Sequence, residues 1–217
     1  MALVYAAAVF GPRSFLSFLS VAGAVSPGRF LAGPEANGGV LGMIAPLFSH
    51  LLVHANLPHL FFNSVWLLAL GAPVARRMGA DSADQSFAAF ARAMLFLTFF
   101  GLSGAAGALT FIALHMEQFT SLVGASGAVS GLLGAVVRFA FNRSTMFGPE
   151  YAKIGGLFTR PVLMASIVII GMNIAVGIFG AAIPGGGDNI AWDAHIGGYL
   201  FGLVFYPAFE RLARFIR

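Results

Sequence analysis

The sequence contains no cysteine, which excludes disulfide cross-links, thiolate metal sites and a cysteine nucleophile. Charge is scarce as well: only 9% of the 217 residues are Asp, Glu, Lys or Arg, against about 25% in an average soluble domain. So few charges cannot cover a water-facing surface of this size. In their place 59% of the chain is hydrophobic, in runs that are continuous rather than alternating, which disfavours a transmembrane β-barrel. The predicted class is an all-α polytopic membrane protein with one compact membrane domain over residues 1–217. The formal charge of +4 would suit a nucleic-acid partner, but the basic residues stand at segment ends, where topology accounts for them. The expected surrounding is a lipid bilayer and no nucleic acid.

Spanning a bilayer takes roughly 20 mainly apolar residues. Five candidates meet that pattern: Leu57–Val74, Phe87–Leu114, Ser126–Phe141, Pro161–Ile183 and Ile190–Phe209. An earlier stretch, Ala2–Val25, is interrupted by Gly11, Pro12 and Arg13. Its uninterrupted part, Met1–Phe10, reaches only about 15 Å as a helix, half of the roughly 30 Å hydrocarbon core. Six segments are therefore expected, the first incomplete or broken. A signal peptide fits less well, because no basic region precedes the apolar run. If the segments alternate in direction, all basic residues except Arg13 and Arg29 fall on one side. The connections His115–Val123 and Pro184–Ala194 hold no Lys or Arg but carry Glu117, Asp188 and Asp193. The arginine-bearing side is cytoplasmic by the positive-inside rule. Ser126 and His195 then both lie near the outer ends of inward-running helices.

Two short strings open the fourth and sixth segments: Gly124-Ala125-Ser126-Gly127 and Ala194-His195-Ile196-Gly197-Gly198. On a wheel of 100° per residue, Ser126, Gly127, Ser130, Gly131 and Gly134 fall within about 140°, and His195, Gly198 and Gly202 within about 60°. Gly127/Gly131 and Gly198/Gly202 carry the spacing of small residues that lets membrane helices pack closely. If these faces meet, Ser126 meets His195 at the top of the contact. Gly101, Gly104 and Gly107 in the third segment read as packing only.

A serine hydroxyl is a weak nucleophile until a base takes its proton, and an imidazole suits that role near neutral pH. An orienting carboxylate is the usual third member. Asp193, two residues before His195, points to another side of a helix, so the reading is a Ser126–His195 dyad, with Asp193 the lesser option. The start of the fourth helix offers backbone N–H groups at Ser126 and its neighbours Gly124 and Ala125 to an oxyanion. Pro58 fits a first helical turn, and it places His59 and Asn63 at i and i+4, both able to donate. His50, His54 and His59 could instead suggest zinc, but no acid stands among them and Pro58 interrupts a common face. Hydrogen bonds to backbone are the plainer reading for His50 and His54. No metal and no other cofactor is expected.

At this point the residues resemble the rhomboid intramembrane serine proteases. The resemblance rests on His59 with Asn63, His54 before them, the Gly124-x-Ser126-Gly127 motif, and Ala194-His195 followed by Gly198 and Gly202. It implies a six-helix rhomboid-like bundle, Ser126 as nucleophile, His195 as general base, and His59, Asn63 and the Ser126 amide around the oxyanion. It further implies transmembrane protein substrates, a bacterial inner membrane with the site on the extracytoplasmic side, and a cap at Gly185–Asp193. The chain departs from the pattern at Ser130, where many relatives place an aromatic against the histidine, and at Ala75, where many carry glutamate. The Trp-Arg pair of many first loops is also absent, with Arg29-Phe30 a partial substitute. The alternative reading is a catalytically weak or inactive rhomboid-like protein that binds membrane clients. A transporter lacks support, since the segments hold few charges and no inverted repeat is visible.

Overall fold

The computed structural model describes residues 1–12, 23–81, 86–116, 118, 120–141, 153–179 and 191–216. Those residues form helices and short connections, with one isolated antiparallel bridge between Val25 and Leu122. Helix α1 spans Ala2–Phe10. Four short helices follow, α2 (Pro27–Leu31), α3 (Gly33–Ala36), α4 (Val40–Ile44) and α5 (Pro46–Ser49), then a 3₁₀ turn at His50–Leu52. Five long helices complete the chain: α6 (Leu57–Met78), α7 (Phe87–Leu114), α8 (Ser126–Ala140), α9 (Arg160–Phe179) and α10 (Trp192–Phe215).

Local chemistry sets several of these ends. The Asn56 side chain caps α6 by accepting from the His59 N–H at 2.8 Å, with Pro58 in the first turn, where its missing N–H costs nothing. Gly79 closes the same helix in the left-handed region, at φ 64°. Ser86 caps α7 through the Ala89 N–H. The five later segments appear as helices, with α6 running past Val74 to Met78 and α10 running from Trp192 past Phe209 to Phe215, while residues 180–183 and 190 of the expected bounds lie outside the described residues. Three helices, α6, α7 and α9, are long and apolar enough by themselves to cross a membrane. Helix α8, at fifteen residues, is about 22 Å long. The first stretch is a nine-residue helix, and its continuation through residues 13–22 lies outside the described residues, so six complete spans are not established.

The bundle is organised around α8, where most side chains are buried, and α10 packs chiefly on α8 and α7. Helices α8 and α10 run parallel and in step. A Cβ on Gly198 would overlap the Gly127 carbonyl, and one on Gly202 the Gly131 carbonyl, four residues further along both helices. Gly134 meets the Tyr199 carbonyl in the same way. The two glycine faces read from the sequence are thus a backbone-to-backbone seam. In α7 the glycines divide: Gly101 and Gly104 admit Phe48 and Leu51 of the preceding loop, while Gly107 lies against the Ala194 backbone. At the far end of the bundle, buried Arg77 of α6 pairs with buried Glu210 of α10 at 2.8 Å and lies over the Phe139 ring. Arg214 also reaches Glu210.

Candidate active site

The stretch before α8 is held from three sides. Leu122 exchanges both backbone hydrogen bonds with Val25, at 2.8 and 3.0 Å. The Gly124 N–H donates to the His50 carbonyl at 2.9 Å. Gly124 itself has φ +108°, a region that side chains rarely enter, and a Cβ there would lie 2.6 Å from the His59 Nε2. Glycine is therefore required twice at this position, by backbone conformation and by the imidazole against it. Ala125, fully buried, accepts the Val129 N–H and starts the helix, so Ser126 is the first residue of α8.

Ser126 and His195 meet. His195 is the fourth residue of α10, and the parallel seam sets its ring beside the start of α8. The His195 Nε2 lies 2.8 Å from the Ser126 Oγ, within hydrogen-bond reach, and both residues are half-buried. Gly127 and Gly131, with Gly198 and Gly202 opposite, bring this about, because a side chain at any of them would drive the helices apart.

The wall beside the pair comes from α6 and the loop before it. His59 is half-buried against Gly124, and His54 packs edge-on to it with ring centroids 5.1 Å apart. Asn63 is buried; its Nδ2 donates to the His59 carbonyl at 2.9 Å, which leaves a second Nδ2 proton, while its Oδ1 has no partner among the described residues. His50 bonds to backbone as read, its Nδ1–H donating to the Pro46 carbonyl at 2.9 Å. Burial pushes the His50 ring down to about 4, so it is neutral at pH 7. His54 differs from the plain reading: both of its ring nitrogens are buried without a hydrogen-bond partner. Burial first, and then the neighbouring His59, lower the His54 ring to about 4. Among the described residues no three His, Cys, Asp or Glu side chains gather as a metal site.

Asp193 does not orient His195. Its carboxylate accepts the Ala194 N–H at 2.9 Å and lies 3.0 Å from the Nδ1 of His115, at the end of α7. His115, a loop residue as read from the sequence, faces the Phe111 carbonyl with the same Nδ1 at 3.0 Å and donates there, so the buried Asp193 Oδ2 has no hydrogen-bond partner among the described residues. The His195 Nδ1 faces instead the Oδ1 of Asn173, in α9, at 3.0 Å. The sequence reading missed Asn173, although a lone carboxamide in a run of Val, Ile, Met and Ala was a visible signal. Of Gly185–Asp193, named as a cap, residues 185–190 lie outside the described residues, and Trp192 and Asp193 already belong to α10.

A family model described as "Rhomboid domain" matches residues 41–211. The chain is 29% identical over 156 residues to the protein described as "Rhomboid protease GluP" of Bacillus subtilis, covering 72% of this chain and 24% of that one. It is 27% identical over 145 residues to "Putative rhomboid protease YdcA" of the same organism, covering 67% of this chain and 64% of that one. With "RHOMBOID-like protein 1" of Arabidopsis thaliana the identity is 29% over 158 residues, 73% of this chain and 32% of the other. The chain therefore spans less than two thirds of the length of each of these relatives.

Proposed function

Because this chain belongs to the rhomboid family, we propose that it is an intramembrane serine endopeptidase, a six-helix membrane domain over residues 1–217 that cuts peptide bonds in or near transmembrane segments of other membrane proteins. The observation that carries the proposal is the 2.8 Å approach of the His195 Nε2 to the Ser126 Oγ. A serine and a histidine at the starts of two parallel helices, brought together by a glycine seam, are hard to explain as packing alone.

The chemistry follows from the atoms. His195 Nε2 takes the Ser126 Oγ proton as Oγ bonds to the scissile carbonyl carbon, and the carbonyl oxygen becomes an oxyanion. The first-turn N–H groups of α8 have no acceptor within the helix and point towards its start, where negative charge is favoured. The Ser126 amide, next to Ala125, is the first donor to that oxyanion; the Gly124 N–H, offered by the sequence for the same role, is spent on the His50 carbonyl. The second Nδ2 proton of Asn63 and the His59 imidazole extend the same wall. The imidazolium then returns its proton to the leaving amine as the C–N bond breaks, which leaves an acyl-Ser126. Water, deprotonated by the same Nε2, bonds to the ester carbon; the C–Oγ bond breaks as the imidazolium returns that proton to the Ser126 Oγ, and the acid product leaves and ionises. No metal or cofactor enters this sequence.

Charge distribution supports a site on the extracytoplasmic side of a bacterial plasma membrane: Arg77, Arg138 and Arg214 all lie at helix ends remote from Ser126. One feature favours the rival reading of a weak or inactive client-binding protein, namely Ser130 where many relatives carry an aromatic. A single experiment separates them. The purified protein is treated with a fluorophosphonate and the adduct mapped, and in parallel it is given a reporter transmembrane substrate. Labelling at Ser126, with cleavage lost in Ser126→Ala while the variant keeps its thermal midpoint, supports the protease. Undiminished cleavage by Ser126→Ala removes Ser126 from the mechanism.

A further inference from the structure

We propose that Asn173 is a positioning residue that fixes the tautomer of His195 and so aims its basic nitrogen at Ser126; the inference rests on the protease reading for its catalytic meaning, but not for its structural content. A neutral imidazole carries its proton on one nitrogen or the other, and only the Nδ1–H form leaves a lone pair on Nε2 for the serine. Which form is present depends on what Nδ1 faces.

The structure supplies a chain of obligatory roles. The Ile169 carbonyl can only accept, and the Asn173 Nδ2 donates to it at 2.9 Å. That bond turns the other end of the carboxamide, Oδ1, towards His195, 3.0 Å from its Nδ1. Oδ1 can only accept, so Nδ1 must carry the proton. The bare Nε2 then faces the Ser126 hydroxyl at 2.8 Å, and the hydroxyl donates. The opposite tautomer would set a lone pair of Nδ1 against a lone pair of Oδ1, and its Nε2–H would donate to the Ser126 oxygen, which leaves no base facing the hydroxyl proton. One backbone carbonyl in α9 thus decides where a proton sits in α10.

Among the described residues Asn173 is the group that His195 Nδ1 meets. Asp193 accepts the Ala194 N–H and lies towards His115, away from the His195 ring nitrogens. A carboxamide also suits a weakly solvated site better than a carboxylate, since it accepts the same hydrogen bond without bringing a charge out of water. The position of Asn173 is itself held on both sides. Ser166 bonds to the buried Tyr199 hydroxyl of α10 at 2.7 Å, and Gly177 receives the Trp192 indole, which a Cβ would overlap. Residues 166, 173 and 177 lie within about 40° on the α9 wheel, so one narrow stripe meets α10 at three levels. Only Val162 and Ser166 of α9 are buried. The orientation of His195 therefore depends on a helix with little else fastening it.

The test uses the full chain, purified in detergent, as wild type, Asn173→Leu, Asn173→Asp and Ser126→Ala. Leucine keeps the size and removes the acceptor; aspartate keeps the acceptor. With 15N-labelled histidine, and His195→Gln to identify the His195 signals, the wild type is expected in the Nδ1–H form and Asn173→Leu in a mixture of both. On a reporter substrate, Asn173→Leu is expected to lose about 10- to 100-fold in kcat, with KM within about twofold, and Asn173→Asp to recover most of the loss. A residue that only packs α9 would not be rescued by aspartate and would leave the tautomer unchanged. An Asn173→Leu protein with the wild-type tautomer overturns the proposal, as does one with wild-type kcat. If that variant loses its thermal transition, Asn173→Ala answers by the same two measurements. If the wild type neither cleaves nor labels at Ser126, the protease reading fails, while the tautomer measurement still decides the role of Asn173.

Discussion

Gly107→Ala puts the geometry of the Ser126–His195 contact to a demanding test, because the substitution adds a single methyl group and yet sits behind the histidine. A Cβ on Gly107 would lie 2.5 Å from the Ala194 carbonyl oxygen, whereas ordinary contact begins at 3.4 Å. The obstacle is backbone, not the end of a flexible side chain, so the start of α10 must retreat by about 1 Å, and such a misplacement costs on the order of 100-fold in rate. Little else can absorb the shift, since a Cβ on Gly107 also approaches the Gly127 Cα at 3.5 Å and Gly198 abuts the Gly127 carbonyl. The 2.8 Å separation of Ser126 and His195 then exceeds hydrogen-bond reach. Overpacking of this kind costs about 1–3 kcal/mol of stability, so the variant should fold with a lowered thermal midpoint and label at Ser126 about 100-fold more slowly with a fluorophosphonate. Gly171→Ala is the control: a Cβ there meets nothing within 4 Å, and the labelling rate should not change. A folded Gly107→Ala protein that labels as fast as wild type would refute the claim that the three-helix contact sets the dyad.

Other expectations follow from the same coordinates. His59→Ala should lower kcat more than it lowers the thermal midpoint, and an equal loss of both would make His59 a structural residue. Glu210→Gln leaves Arg77 buried with only a neutral acceptor in place of its carboxylate; breaking a buried pair costs about 3–5 kcal/mol, measurable as a fall in the detergent thermal midpoint. His50, buried and lowered from 6.5 to about 4, binds its proton more readily in the unfolded chain. Its contribution to stability is full above pH 6.5 and is lost as pH falls towards 4, by about 3 kcal/mol at 1.36 kcal/mol per unit. His50→Gln should flatten that part of the midpoint-versus-pH curve, and an unchanged slope would assign it to other groups.

The long helices were legible because apolar runs, caps and terminal arginines are local signals. Phe87–Leu114 appears with the boundaries read from sequence, and Ser126 opens α8 where its motif predicts. The meeting of Ser126 with His195 was legible because small residues recurred on one face of each helix at the same depth. What the sequence withheld was set by contacts between segments distant in the chain. The partner of the His195 Nδ1 lies 22 residues away, in another helix, and a search for a third carboxylate looked past an amide. Asp193 had the right chemistry and the wrong direction, since its carboxylate accepts the Ala194 N–H and faces away from the His195 ring towards His115. The anchoring of Gly124 by the His50 carbonyl is a backbone bond and leaves no mark on side-chain identity. The loop helices were likewise hidden, because four- and five-residue helices opened by prolines show no readable period.

Helix α8 has fifteen residues, and its length of about 22 Å falls short of the roughly 30 Å of hydrocarbon around it. With its arginine end at one boundary of the hydrocarbon, its other end stops about 8 Å short of the opposite boundary. The surrounding lipid must thin, or water must fill the shortfall, and either response depends on acyl-chain length. Bilayer thickness thus sets the surroundings of Ser126: shorter lipids raise its hydroxyl towards the aqueous phase, and longer ones bury it beneath more oil.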